Sequence, residues 1–407
     1  MRMPSSNPRL TGLRGLFQDT RVRSLLWQTA FFAMLVFLFV DAAGNVVEAL
    51  TKRGMLPSFG FLRLSSGIVV GEKLIEFDGA SSNLRAVVVG LLNTLFISAL
   101  VIAASSLLGL FVVLCRISSN WLVSRLAKAY IEIIRNIPLL MLLLIWYRAF
   151  FLQMPGIKSA IMLNKTVTEG GEVGASLILS NRGLFLGWPV PTDRFAVYRY
   201  VLAGALAVAV ATAAFLSARY RRTGKKSPVV LWSALAFLAV SGIGLLCMSG
   251  EPPFRIDVPR LGKFNAKGGL YISSEWFSLF SGLVLYTSAF VAEAFRAGIQ
   301  GVPKGQLEAA RALGIGRLRA MRLVVIPQAK IVAIPPLTSI FLGVAKNTSL
   351  GVAIGFPDLF SITGTIINQT GRALEMILLV MAIYLSISLC TSALMNVYNK
   401  RVQLVER

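Results

Sequence analysis

Residues equipped for covalent or metal chemistry are scarce in this 407-residue chain. It contains no histidine, which excludes His-based catalytic triads, His metal ligands and imidazole proton relays. Its cysteines, Cys115, Cys247 and Cys390, lie in or at the ends of apolar runs and show no Cys-x-x-Cys spacing. The string nearest to a phosphate-binding loop, TGKKS at 223–227, lacks the upstream glycine. The sequence therefore predicts neither an enzyme nor a metal, cofactor or nucleotide site.

One polar cluster inside an apolar segment is suited to binding an ion instead. Its members are Lys346, Asn347, Thr348 and Ser349. Charged residues within membrane spans cost free energy and are functional candidates by default. We expect Pro335 and Pro336 to break the helix before the cluster, and a second set of residues to break it afterwards: Gly351, Gly355 and Pro357. Interrupted helices direct backbone dipoles into the cavities of transporters, so we expect Lys346 to attract a carboxylate or to form a gate.

Two alternatives stay open for these polar residues. Lys346 is also suited to extending along the apolar surface, or to pairing with an acid at an interface. Asn93 and Thr94 lie on another apolar segment, where they either line a transport pathway or form hydrogen bonds between helices.

Eight apolar segments approach the length of about 20 residues that a helix needs to cross a bilayer. The chain is 56% hydrophobic and 14% charged, with a mean hydropathy of +0.71. The segments are 24–43, 87–115, 130–151, 200–217, 229–248, 276–295, 331–356 and 377–395. We therefore predict an all-α, polytopic integral membrane protein with about eight transmembrane helices, the first of which is retained.

The basic residues orient these helices. Eight spans place both termini on one side, whose connections carry 23 Lys and Arg against three acidic residues. The opposite connections carry 15 basic and 12 acidic residues. The positive-inside rule then makes both termini cytoplasmic. Because topology explains most of the net charge of +23, no nucleic-acid partner is predicted.

The most basic connection, around 302–327, has the pattern of two short helices. A run of helix-forming residues follows Pro303, Gly314 and Gly316 supply a bend, and a second short helix is expected to end at Pro327. The small side chains of the EAA string in this run would let another surface approach closely. An amphipathic loop lying on anionic headgroups fits the same pattern, so membrane lipid is one predicted partner.

This connection resembles the EAA loop of ABC-importer permeases. The matching positions are Glu308, Ala309, Ala310, Gly314, Val324, Ile326 and Pro327. The resemblance implies a cytoplasmic coupling-helix loop that docks on a separate cytoplasmic ABC ATPase subunit, which agrees with the missing phosphate-binding loop. The coupling residues that it implies are Gly305, Glu308, Ala309, Ala310, Gly314, Arg317 and Pro327.

Further strings resemble the polar-amino-acid permeases, and in particular those of general L-amino-acid systems. They include RNIPLL at 135–140 and KNTSL at 346–350, within a core of about five spans. The resemblance covers a little under half of the chain. It implies import of polar L-amino acids across a bacterial inner membrane, a periplasmic amino-acid-binding protein and a second permease, related but different. Asn93, Thr94 and residues 346–349 are then the expected substrate pathway.

The resemblance divides the chain into four parts. Residues 1–86 hold the N-terminal tail, an extra span and an outer loop, and 87–151 begin the permease core. Residues 152–275 form an insertion with two extra spans and outer loops, and 276–407 complete the core with the EAA loop and C-terminal tail.

The rival prediction, an ion-coupled secondary amino-acid transporter, requires an acidic site at membrane depth, where few acids occur. A lipid-bound scaffold or membrane enzyme is a third possibility, and the sequence offers no catalytic cluster for it.

Overall fold

The computed structural model describes residues 20–52, 58–167, 173–224, 228–248, 252–262 and 265–402. Predictions on the two chain ends and on the 225–227 turn therefore fall partly outside the described residues. The helices are α1 Thr20–Lys52, α2 Asn83–Arg116, α3 Trp121–Asn136, α4 Leu139–Ile145, α5 Phe195–Thr223, α6 Val229–Cys247, α7 Ser274–Gln300, α8 Lys304–Ala312, α9 Arg317–Ala320, α10 Ile326–Asn347, α11 Leu359–Thr370 and α12 Ala373–Val402.

The core of the bundle forms where α2 packs along α7. Small residues allow the two helices to approach closely, as is common in membrane bundles. A methyl group added at Gly109 would lie only 2.6 Å from Cγ1 of Val291. Nearby, Ile97, Val101 and Leu283 are almost fully buried in the same apolar cluster. This contact fixes the frame against which the remaining helices pack.

Seven described helices are long and apolar enough to cross a membrane, and they overlap seven of the eight predicted segments. The eighth segment, 130–151, is not straight. The chain bends by 105° between α3 and the helical stretch Leu139–Phe151. Pro138 causes the bend, since a proline restricts the residue before it and cannot donate a backbone hydrogen bond.

The bent pair nevertheless runs along the length of α7. At one end, Arg135 lies 4.0 Å from Glu293, and at the other the ring centroids of Phe151 and Phe277 are 5.3 Å apart. The 16 residues between Phe277 and Glu293 correspond to about 24 Å of helix. This geometry agrees with a total of eight crossings.

Two predictions about proline are wrong. Pro335 and Pro336 do not break their segment, because α10 continues through both. Pro327 does not end a helix either. It lies in the first turn of α10, directly after a π-helical turn at Met321–Val325. Pro327 has no N–H to donate, and it follows a π-helical turn, so the irregular hydrogen-bond pattern of the helix falls where the proline lies. The stretch Arg317–Ile354 is consequently one long helical rod.

The connections at the end of the bundle opposite the basic 302–327 connection, which we call the outer end, carry antiparallel β-structure that hydropathy did not predict. The strands are β1 Ile161–Val167, β2 Val173–Ser180, β3 Gly183–Leu186, β4 Trp188–Pro191, β5 Phe254–Asp257, β6 Arg260–Leu261, β7 Ala266–Lys267 and β8 Leu270–Ser273. A six-stranded sheet has the order β7-β6-β2-β3-β8, with β1 also paired to β2, and β4 pairs with β5. Because β8 leads directly into α7, the sheet is anchored to the outer end of the bundle.

Two features lie beside this bundle. Over its most apolar 18 residues, helix α1 buries no residue against the rest of the chain. Helices α5 and α6 form a hairpin, in which the Tyr198 hydroxyl donates to the Ser241 carbonyl at 3.0 Å. These helices thus expose apolar surface to lipid or to other membrane helices.

Candidate functional site

The basic connection between α7 and α10 folds into a compact unit, residues 303–325, which we call the foot. Helix α8 ends in a Schellman motif. The Ile315 N–H donates to the Ala310 carbonyl at 3.0 Å, and the Gly314 N–H donates to the Arg311 carbonyl at 2.9 Å. Gly314 adopts φ +73°, a conformation that glycine takes without steric cost. The predicted bend is confirmed, and this motif sets its direction.

The exposed face of the foot combines charged and apolar groups. Gly305, Glu308, Ala309 and Arg317 are exposed. Ala310 is 4% exposed, so it packs inside the foot and does not face outward as the sequence suggested. The most exposed apolar side chains of the foot are Leu313, at 78%, and Leu318, at 87%. Two leucines held in water beside cationic groups indicate a surface for docking another protein.

The foot is continuous with the long rod. Helix α8 packs against α9 and against the π-helical turn that follows α9. Pro327 is half-buried beyond this turn, where α10 begins. A displacement of the foot therefore reaches α10 without passing through a flexible linker.

At the far end of the rod, the helix gives way to a 3₁₀ turn, Thr348–Ile354, and then to residues 355–359, which we call the pinned loop. The Asn93 side-chain amide donates to the Pro357 carbonyl at 2.9 Å and to the Glu72 carbonyl at 2.8 Å. The Leu359 N–H donates to the Thr94 hydroxyl at 3.1 Å. Asn93 and Thr94 are buried, and they join α2 to a segment 264 and 265 residues away along the chain.

Asp358 is the buried acid of the pinned loop, with no exposed surface. Its carboxylate caps α11 by accepting the Ser361 N–H at 2.8 Å. The Thr348 and Tyr384 hydroxyls donate to the same carboxylate at 3.3 and 3.5 Å. One side chain thus connects the rod, α11 and α12.

The four residues of the predicted polar cluster do not share one environment. Lys346 is exposed, Asn347 and Ser349 are half-buried, and Thr348 is fully buried. The Ser349 hydroxyl donates to the Lys346 carbonyl at 2.6 Å. Only Thr348 joins Asn93 and Thr94 around the pinned loop. Among the described residues, the Lys346 side chain forms no hydrogen bond to that cluster and no ion pair.

A cavity of about 410 Å³ opens beside the pinned loop at the outer end of the bundle. Its walls include Glu72, Asn93, Trp276 and Phe356. Burial raises the pKa of Glu72 above its ordinary value, and the carboxylate of Glu275 acts in the same direction, whereas a hydrogen bond from Ser273 opposes them. The cavity thus combines aromatic walls with a carboxyl group that holds its proton more tightly than one in water does.

Sequence reasoning missed Asp358 and helix α11, and it did not identify Leu313 and Leu318 as the most exposed apolar residues of the foot. Helix α11 is too short for a span, and its signals are an aspartate at the N-cap and Gly371 just after its end. The two leucines sit in a short connection where an exposed apolar residue cannot be told from a packed one. Only the capping pattern could have been found from the sequence.

Comparison with known proteins gives consistent matches. A family described as "Binding-protein-dependent transport system inner membrane component" matches residues 105–404. The chain is 37% identical to the general L-amino acid transport system permease protein AapQ of Rhizobium johnstonii, covering 97% of this chain and 96% of that protein. It is 40% identical to the putative amino-acid ABC transporter permease protein YhdX of Escherichia coli, covering 96% and 97%.

A third relative extends over almost the full length of both chains. It is the glutamate/glutamine/aspartate/asparagine transport system permease protein BztB of Rhodobacter capsulatus. It is 36% identical over 436 aligned positions, which cover 99% of each protein.

The thermal stability of the protein should depend on Thr94, whose hydroxyl accepts a hydrogen bond from the pinned loop. It should depend less on a threonine whose hydroxyl bonds within its own helix. Thr94→Val leaves the buried Leu359 N–H without an acceptor, which costs about 1–3 kcal/mol. Thr338 is a matched control, because its hydroxyl donates to the Ile334 carbonyl of the same helix and to no other group among the described residues. We expect Thr94→Val to lower the thermal unfolding midpoint in detergent more than Thr338→Val does. Equal midpoints for the two variants would contradict the role of Thr94.

Proposed function

The chain belongs to the family of inner membrane components of binding-protein-dependent transport systems, and we propose that it is the permease subunit of an ATP-driven importer of polar L-amino acids. It is a transport component and not an enzyme. The amino-acid substrate is supported by the names of the three relatives and by the exposed ammonium group of Lys346 beside the transmembrane core. An α-carboxylate is the group that such an ammonium recognises in every amino acid.

The exposed surface of the foot is the observation that most directly supports coupling to an ATPase. It exposes Leu313 and Leu318 among five basic residues and one acid, so it suits an ATPase surface with an apolar groove and acidic groups. ATP binding and hydrolysis in that subunit would move the foot, and the rod would carry the movement to residues 346–349. We assign Gly305, Glu308, Ala309, Gly314 and Arg317 to the docking surface, and Ala310 and Pro327 to its internal support.

The remaining partners follow from the same proposal. A periplasmic binding protein delivers the amino acid to the outer face, where the sheet and the outer cavity lie. A second permease, related to this chain but different from it, completes the pathway beside Lys346. Both termini lie in the cytoplasm, because the eight crossings then place the basic foot on the inner side.

The strongest candidate ion site for the alternative, an ion-coupled secondary transporter, is Asp358, the acid with the least exposed surface in the described chain. Its oxygens already accept hydrogen bonds from Ser361, Thr348 and Tyr384. Such a carboxylate is fully used in capping and connecting helices. This assignment favours the ATP-driven mechanism over ion coupling.

Docking of the ATPase should fail when the apolar face of the foot becomes acidic. We expect Leu318→Glu to abolish both co-purification of the ATPase subunit and ATP-dependent uptake in proteoliposomes. Val69→Glu is a matched control, because Val69 is 92% exposed and lies in the outer connection. That variant should retain the ATPase. Retention of the ATPase by Leu318→Glu, or uptake by the permease alone on an ion gradient, would refute the proposal.

The proposed role of Lys346 gives a separate expectation. A hydrogen bond to a charged group contributes about 1.5–3 kcal/mol, so Lys346→Met should lower the rate of uptake by about tenfold or more. Lys346→Arg keeps the charge and should retain most of the activity. The ATPase should remain bound to both variants. Normal uptake by Lys346→Met would remove Lys346 from the substrate pathway.

A further inference from the structure

An apolar groove of about 620 Å³ runs down the bundle between α2, α7, α10 and α12, well away from the outer cavity. Its walls include Leu110, Phe295, Leu337, Phe341 and Met395. Ser106, a polar wall residue, donates its hydroxyl to the Ile102 carbonyl of its own helix at 2.6 Å. The groove therefore offers little to water and suits a hydrocarbon chain.

The position of the groove favours an acyl chain. All four wall helices are apolar enough to cross a membrane, so the groove lies at the depth of the hydrocarbon core. Its residues on α10 extend from Ile326 to Phe341, about 22 Å of helix. This length is more than half of the roughly 30 Å hydrocarbon thickness, which suits one chain of a phospholipid in one leaflet.

The polar end of the groove favours an anionic headgroup. Lys330 and Tyr398 line this end, one helical turn from where the foot joins α10. Lys330 is exposed, and among the described residues it forms no ion pair. Lys400 and Arg401 follow in the last turn of α12. Basic pockets between helices on the cytoplasmic side are suited to lipid phosphates.

From the groove and its charged end, we propose that an anionic phospholipid of the inner leaflet binds here, with its phosphate at Lys330 and one acyl chain against α10. The site lies where the helical rod enters the membrane, whereas the foot itself contacts the cytoplasm. The lipid fills the space between α10 and α12 that a second transmembrane helix would otherwise have to fill. Binding of this lipid is independent of the proposed amino-acid substrate.

Native mass spectrometry of the full chain, purified with its partner subunits, tests this site. The probes are phosphatidylglycerol and phosphatidylethanolamine, added in equal amounts. We expect Lys330→Gln to reduce retained phosphatidylglycerol about fivefold, since one lysine near the membrane surface contributes about 1 kcal/mol. Lys330→Arg should retain it. Arg125→Gln is the control, because Arg125 is exposed at the same end of the bundle but does not line the groove.

A second variant tests the acyl-chain part of the site. Met395→Trp fills the groove from its α12 wall and should displace the lipid while leaving Lys330 in place. The proposal is overturned if Lys330→Gln and the wild type retain equal phosphatidylglycerol, or if the two lipids are retained equally. A disulfide formed under an added oxidant between Met395→Cys and a cysteine introduced into the second permease would also overturn it, because a protein helix would then occupy the groove.

Discussion

Non-helical backbone inside a membrane bundle must find hydrogen-bond partners within the protein, because lipid provides none. The pinned loop meets this constraint through α2. Asn93 satisfies the Pro357 carbonyl, Thr94 satisfies the Leu359 N–H, and Asp358 caps the next helix. The close approach of α2 adds to this, since a methyl group at Gly90 would lie 2.9 Å from the Leu359 Cα. This loop therefore joins α2, α11 and α12, since Tyr384 of α12 donates to the Asp358 carboxylate.

The pinned loop also gives the rod a fixed outer end. The rod runs from Arg317 in the foot to Ile354 at the start of the loop, and α10 stays helical through Pro335 and Pro336. Prolines are tolerated within membrane helices when neighbouring groups compensate for the lost backbone bond. A stiff element anchored at one end and exposed at the other is suited to transmit motion. Its inner end carries the foot, and Lys346 lies near its outer end.

The sequence predicted the spans well because hydropathy reports burial in lipid directly. It predicted the foot because Gly314 and the surrounding helix formers act locally. It failed where long-range contacts decide the outcome. The role of Asn93 depends on Pro357, 264 residues away, and the effect of Pro335 depends on its packing neighbours. The outer sheet was missed since its strands are short and paired across α5 and α6.

The central claim is that the foot and the outer end of the rod move as one body. The most direct test is a spin-label distance between Leu323→Cys, which lies outside the proposed docking surface, and Val352→Cys in a chain whose native cysteines are replaced by serine. Both positions are exposed, and they lie near opposite ends of the rod. The distance should be the same in the nucleotide-free and the ATP-bound transporter. A shift of that distance on ATP binding would show that the rod bends, and would contradict the claim.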